Sequence, residues 1–182
     1  MPNRVTKDQW LQAALDTLVE EGVEALRIER LAKRIGISRS GFYWHFKDSD
    51  DLRKEIVEYW AFEYTEKIIN LLDEMPMDAQ QKLQYTAQQV IKNELATYEI
   101  AMQTLAKTDP TLLPRINDVY QFRLDFVYRC FKELGFTGVE LELRTRVFVV
   151  YASYELVFPT FGTREELMEQ IPKHIELFTT KA

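Results

Sequence analysis

The sequence predicts an all-α protein of about nine helices, with an N-terminal three-helix domain joined by a long helix to a larger helical domain. Three observations predict it. Apolar residues recur at spacings of three and four along nearly the whole chain, the signature of buried helix faces. Capping signals and Gly or Pro punctuation cut that pattern into pieces of helix length. No alternating strand pattern, internal repeat or low-complexity stretch stands out in the 182 residues. Apolar residues make up 46% of the chain and glycines number only six, which excludes disorder and fibre.

The first helix opens at Thr6-Lys7-Asp8-Gln9, a capping box in which Gln9 can return a bond to the cap residue. It runs to about Glu21 with Trp10, Ala14, Leu15 and Leu18 inward, and Gly22 closes it. The stretch from Arg27 to Lys47, RIERLAKRIGISRSGFYWHFK, then has the grammar of a helix-turn-helix. Ile28, Leu31 and Ile35 share one face of its first helix, and Ala32 is small enough for a second helix to cross closely. Gly36 supplies the left-handed position that ends a helix, Ile37 plugs the corner, and Ser38 is a good N-cap. The second helix, Arg39 to about Phe46, turns Phe42 and Phe46 inward at i, i+4 and offers Arg39, Ser40, Gly41, Tyr43, Trp44 and His45 on its other face.

From Ser49 to about Glu74 no Gly or Pro intervenes, and Leu52, Ile56, Tyr59, Trp60, Tyr64, Ile68, Leu71 and Leu72 follow one stripe. At 1.5 Å per residue this is a rod of roughly 40 Å, long enough to be shared by two domains and to act as a lever between them. Met75-Pro76-Met77 breaks it, and Asp78-Ala79-Gln80-Gln81 is a second capping box, opening a helix to about Thr97. A shorter helix passes through Met102 and Leu105. Asp109-Pro110 and Pro114 mark the next corner. Arg115 to Leu134 reads as a helix ended by Gly135, and Thr137-Gly138-Val139-Glu140 caps another that runs to Phe158 before Pro159. Thr163-Arg164-Glu165-Glu166 caps the last, to about Thr179, with a kink or restart expected at Pro172.

Charge sets the helix-turn-helix apart. Arg27, Arg30, Lys33, Arg34, Arg39 and Lys47 face one acidic residue, Glu29, giving a local balance of +5 in a chain whose net charge is -6. Phosphate neutralisation needs such a patch, and the acidic remainder confines any nucleic-acid contact to it.

The run GVEALRIERLAKRIGISRSGFYWHFKDSDDL, Gly22 to Leu52, resembles the N-terminal domain of TetR-family transcriptional regulators, most specifically in the string Phe42-Tyr43-Trp44-His45-Phe46. The resemblance covers the first third of the chain; the remainder agrees in length and helical character. It implies phosphate contacts from Tyr43 and His45, a C-terminal domain for ligand binding and dimerisation, and release of DNA when the ligand binds. Two positions depart from the family pattern. Arg27 stands where a capping Thr or Ser is usual, and cannot accept a backbone hydrogen bond but can reach a phosphate. Ser49, within Asp48-Ser49-Asp50-Asp51, stands where a Lys is common; the carboxylates suit a helix N-terminus but repel DNA.

Catalysis has little support. The sequence holds no nucleophile elbow, glycine-rich phosphate loop or zinc spacing, so no cofactor and no metal are expected. Cys130 is the only cysteine, which excludes an intrachain disulfide; it reads as a buried spectator thiol, with a redox sensor as the alternative. His174 stands alone on the last helix. Met1-Pro2-Asn3-Arg4 opens no secretory segment, and the longest apolar run, Val147 to Ala152, is far short of the ~20 residues that span a membrane, so a cytoplasmic location without membrane contact is expected.

The expected division is 4–64 for DNA binding and 65–182 for ligand binding and dimerisation. The helix from Glu140, apolar on more than one face, would meet a second copy of the chain together with the last helix, through Phe148, Tyr151, Leu167, Ile171, Ile175 and Phe178. The aromatic residues past the motif are mostly core, and a subset lines a pocket for a small, largely apolar ligand: Trp60, Tyr64, Tyr98, Met102, Gln103, Tyr120, Arg123, Phe126 and Tyr151. The expectation is a homodimeric, ligand-responsive repressor that binds a palindromic operator in double-stranded DNA through Arg27, Ser38, Arg39, Ser40, Gly41, Tyr43, Trp44, His45 and Lys47. The alternatives are a helical protein-interaction module and an effector-independent architectural DNA-binding protein.

Overall fold

A computed structural model describes residues 5–154 and 163–181. Among them are nine α-helices and no strand: α1 (Lys7–Glu21), α2 (Ile28–Arg34), α3 (Ser49–Ala61), α4 (Lys67–Glu74), α5 (Ala79–Lys92), α6 (Ala96–Thr108), α7 (Leu113–Glu133), α8 (Gly138–Tyr154) and α9 (Arg164–Thr179). The chain forms two compact units, one of residues 1–64 and 100–117, the other of 65–99 and 118–182. The segment 100–117 therefore groups with the helix-turn-helix, whereas the contiguous division at 64/65 assigned it to the larger domain.

In the first unit, α1 begins at the expected capping box: Gln9 N–H donates to Thr6 Oγ1 at 3.2 Å and Thr6 N–H to Gln9 Oε1 at 2.8 Å. Trp10, Ala14, Leu15 and Leu18 are buried, with Leu31, Ala32, Phe42, Phe46, Leu52, Ile56 and Trp60. Ile28 and Ile35 are only half-buried, so Leu31 and Ala32 form the buried edge of α2. The Trp10 and Phe42 rings meet edge to face at 5.5 Å. Burying a ring of this size contributes roughly 1.5–3 kcal/mol, which fixes the motif on α1.

The Ser49–Glu74 rod is helical throughout but not uniform. A π turn, Phe62–Glu66, separates α3 from α4 and inserts where the chain passes from one unit to the other. Such turns absorb an extra residue at the expense of regular bonding and recur at functional positions.

In the second unit, α5 packs on α8 and α9 around Phe126, Phe131, Phe148, Ile171 and Ile175. Asp78 with Gln81 and Thr163 with Glu166 form the expected capping boxes of α5 and α9. Helix α5 ends at Lys92, earlier than the sequence pattern suggests, and Glu94 takes a left-handed φ of 51° before α6 begins. Helix α9 runs through Pro172 without the expected restart. Arg144 of α8 donates to the carbonyls of Phe178 at 2.5 Å and Thr180 at 2.9 Å, satisfying acceptors that the end of α9 leaves open. Leu156, Val157, Phe158 and Pro159, in the expected last turns of α8, lie outside the described residues. No helix among the described residues is long and apolar enough to cross a membrane.

Candidate nucleic-acid interface

The turn between the two helices of the motif is built as the sequence implies. Gly36 takes φ +73°, Ile37 N–H donates to Ala32 O at 3.0 Å and Gly36 N–H to Lys33 O at 3.2 Å, the paired bonds of a Schellman stop. The segment that follows is not the expected α-helix to Phe46. Arg39–Trp44 is a six-residue 3-10 helix, tighter and narrower, closing with His45 N–H on Phe42 O at 2.9 Å. Ser38 makes no side-chain cap; its Oγ lies 2.8 Å from Ser40 Oγ instead.

On this segment Tyr43 and Trp44 are 59% and 73% exposed, a large aromatic surface beside the basic side chains. Arg39 and Ser40 are exposed with them, and Lys33 and Lys47 flank the patch. Arg27 stands at the N-cap position of α2 without capping it, and its Nε–H donates to Glu24 O at 3.2 Å.

Two of the expected DNA-contact residues turn toward their own unit. A Cβ at Gly41 would lie 3.0 Å from Ile37 Cδ1 and 3.9 Å from Trp10 Cζ2, so this position faces its own unit. Its missing side chain lets the recognition segment seat on its own unit. His45, expected at a phosphate, is half-buried with Nε2 3.1 Å from Val5 O, so that this nitrogen donates to a carbonyl and ties Val5 to the motif.

The patch is also less positive than its residue count. Arg34 makes a two-pronged pair with Glu20 at 2.7 and 2.9 Å, Arg30 pairs with Glu21, and Arg39 Nη1 donates to Glu29 Oε1 at 2.8 Å. Hydrogen bonds from Arg34 and Arg39 hold the Glu20 and Glu29 carboxyls below their ordinary range, and the same bond raises Arg39. These pairs are solvent-exposed and therefore readily exchanged for phosphate or base oxygens. The acidic run beyond Lys47 is taken up locally: Asp48 Oδ1 accepts Asp51 N–H at 2.8 Å as the cap of α3, Asp51 Oδ2 accepts Lys47 N–H at 2.9 Å, and Asp50 pairs with Arg53.

The expected ligand residues divide between the units. Trp60, Tyr64, Met102 and Gln103 fall in the first, where Tyr64 OH donates to Gln12 Oε1 at 2.9 Å; Tyr98, Tyr120, Arg123, Phe126 and Tyr151 fall in the second. There Arg123 lies over the Tyr120 ring at 5.7 Å and pairs with Glu99 and Thr65, two residues absent from the expected set. A signal for Glu99 exists: it continues the stripe Leu95, Glu99, Met102, Ala106, whose other members are all buried apolar residues.

Of the expected dimer residues, four pack within their own unit. Phe148, Leu167, Ile171 and Ile175 are buried in the second unit's own core. Tyr151 and Phe178 are half-buried beside them, with Tyr151 OH 2.8 Å from His174 Nδ1. The apolar residues that α8 leaves open are Val139, Leu143, Val147 and Val150, 53–72% exposed at spacings of four, four and three, with Leu177 at 75% on α9. Cys130 is buried, and desolvation pushes its thiol up to about 12, which matches the spectator reading.

A helix-turn-helix with an exposed aromatic and basic second segment has the features of a nucleic-acid-binding unit. Residues 11–56 match the family model of the bacterial regulatory proteins of the tetR family. Over 53 residues it is 40% identical to the HTH-type transcriptional regulator AcrR of Shigella flexneri, a match covering 29% of this chain and 25% of that protein. The chain thus matches about a quarter of the length of its curated relatives. Over its whole length the fold is shared with solved regulators. FadR from Bacillus subtilis, in complex with stearoyl-CoA, aligns with a TM-score of 0.71 at 17% identity over 96% of this chain and 98% of that one. AibR, in complex with isovaleryl coenzyme A and operator DNA, aligns at 0.70 and 13% identity over 94% and 96%.

Proposed function

We propose that the chain is a homodimeric, sequence-specific transcriptional regulator of the cytoplasm, a repressor released from a palindromic operator by a small, largely apolar ligand. The observation that carries this reading is the 3-10 segment Arg39–Trp44, which presents Arg39, Ser40, Tyr43 and Trp44 outward from a rigidly seated base. Arg39 suits guanine, through the fork geometry that meets O6 and N7, once it exchanges Glu29 for the base. Ser40 and Trp44 face base edges. Tyr43, Arg27, Lys33 and Lys47 serve phosphates and fix register. His45 acts by anchoring Val5.

Dimerisation follows from the exposed stripe Val139, Leu143, Val147 and Val150 with Leu177, an apolar face of the kind a second copy covers. Two-fold symmetry doubles the number of base pairs read. AibR was solved with operator DNA, and both it and FadR with acyl-CoA molecules, which supports DNA and ligand as the two partners of this fold. Ligand in the second unit would act through the helical run 49–74, whose π turn lies where the chain crosses between units, and so alter the spacing of the two motifs.

Fluorescence anisotropy against the DNA flanking the gene, across a salt series, tests this. Saturable binding with a steep salt slope is expected. Tyr43→Ala should weaken every sequence alike, and Arg39→Ala should lower selectivity for the best site by roughly 10- to 100-fold. Weak binding indifferent to both substitutions contradicts the proposal.

A further inference from the structure

Among the described residues of the second unit, one charged side chain is buried. Glu99 of α6 is 2% exposed, and its Oε1 accepts Arg123 Nη1–H at 2.7 Å. Arg123 Nε and Nη2 both donate to Thr65 Oγ1, at 2.9 and 2.7 Å. Thr65 is itself buried and lies in the π turn. The remaining carboxylate oxygen, Glu99 Oε2, is sealed from solvent and meets no hydrogen-bond donor among the described residues.

Each of these features is unfavourable by itself. A buried ion pair gives up hydration that its own attraction barely returns, an acceptor left unmade is the costly part of any buried hydrogen bond, and a π turn interrupts a regular helix. A helical bundle needs none of them. They coincide where the chain changes unit, because Thr65 and Glu99 are the residues at which the second unit's first segment begins and ends.

We infer that Glu99 Oε2 is the docking point for the head group of the effector, and that this head group is an uncharged hydrogen-bond donor, a hydroxyl or amide N–H, on an apolar body. The sign of the charge decides the class. Glu99 and Arg123 already balance one another, so a carboxylate or phosphate head would meet the Glu99 charge, and an ammonium would leave an unbalanced cation in a low-dielectric interior. A neutral donor completes Oε2 and keeps the balance. Phe126, one turn along α7 from Arg123, and Ile69, one turn along from Thr65, are buried residues of the same core and suit an apolar body. Through Arg123, a bond made at Glu99 reaches Thr65 and the π turn. The inference rests on the second unit being the ligand-binding one.

Isothermal titration calorimetry of the full chain with 1-octanol, octanamide, octanoate and octylamine tests it without DNA. The wild type should bind the alcohol and the amide about tenfold more tightly than octanoate or octylamine. Glu99→Gln keeps the shape but removes the negative charge beside Arg123, so the order should reverse in favour of octanoate. The double variant Glu99→Gln/Arg123→Met, neutral throughout, should distinguish neither and serves where Glu99→Gln fails to fold. The same order of affinities in wild type and Glu99→Gln, tightest binding of octanoate or octylamine by the wild type, or no binding of any probe overturns the assignment. If selectivity is absent but DNA is bound, the head-group assignment falls and the regulator reading stands. Reversed selectivity in a protein that ignores DNA has the opposite meaning.

Discussion

In the first unit the pairs Arg34 with Glu20 and Arg39 with Glu29 lie at the surface; in the second, Arg123, 16% exposed, pairs with the buried Glu99. Surface pairs are screened by salt and open at little expense, so they can be traded for a nucleic acid as it arrives. A buried pair has lost its water and must stay satisfied, so it defines a conformation. One unit carries charge to be exchanged and the other carries charge to be held. That contrast suits a surface that meets a polyanion and an interior that responds to a small molecule.

The largest effect should come from breaking the held pair. Arg123→Met leaves Glu99 buried and uncompensated and should cost about 3–5 kcal/mol in urea unfolding; a loss comparable to a surface substitution would erase the contrast. Next, Leu143→Asp with Val147→Asp should turn a dimer into a monomer by sedimentation equilibrium and weaken binding to a two-fold site, leaving helix content unchanged. A dimer that persists would place the interface elsewhere. Thr163→Ala removes the cap of α9, seen in Glu166 N–H to Thr163 Oγ1 at 3.2 Å, and should lower stability by about 1 kcal/mol. Gly41→Ala presses on Ile37 Cδ1, so a small loss of stability is expected, restored by Ile37→Val, whose side chain is shorter. If DNA affinity falls and Ile37→Val does not restore it, Gly41 belongs to the readout face after all. The smallest effect is expected of Glu20→Gln, whose consequence for unfolding should vanish in high salt.

Features legible in the sequence were those fixed within a few residues. The capping boxes at Thr6, Asp78 and Thr163, the left-handed stop at Gly36 and the inward pair Phe42 and Phe46 each depend on neighbours one turn away. Other features depend on distant parts of the chain. The stripe that predicts an unbroken rod fails at the π turn, where the extra residue moves the buried face from Tyr64, Ile68 and Leu71, which are half-buried or exposed, to Thr65, Ile69 and Leu72. Helix α8 is apolar on several faces, and only the packing of α5 and α9 decides that Phe148 is covered while Val147 is open. Counting charges gave +5 for the motif, but Glu20 and Glu21, which take up Arg34 and Arg30, lie on α1 outside the counted stretch. Gly41 could not be oriented without knowing that the segment is a 3-10 helix against Ile37.

The most direct measurement is selection of bound sequences from a random DNA library, which assumes nothing about the operator. Wild-type protein should enrich a two-fold symmetric site with a guanine in each half, and Arg39→Ala should erase the preference at that guanine while keeping the symmetry. No enrichment, or a site unchanged by Arg39→Ala, would contradict the assignment of the Arg39–Trp44 segment as the reader of sequence.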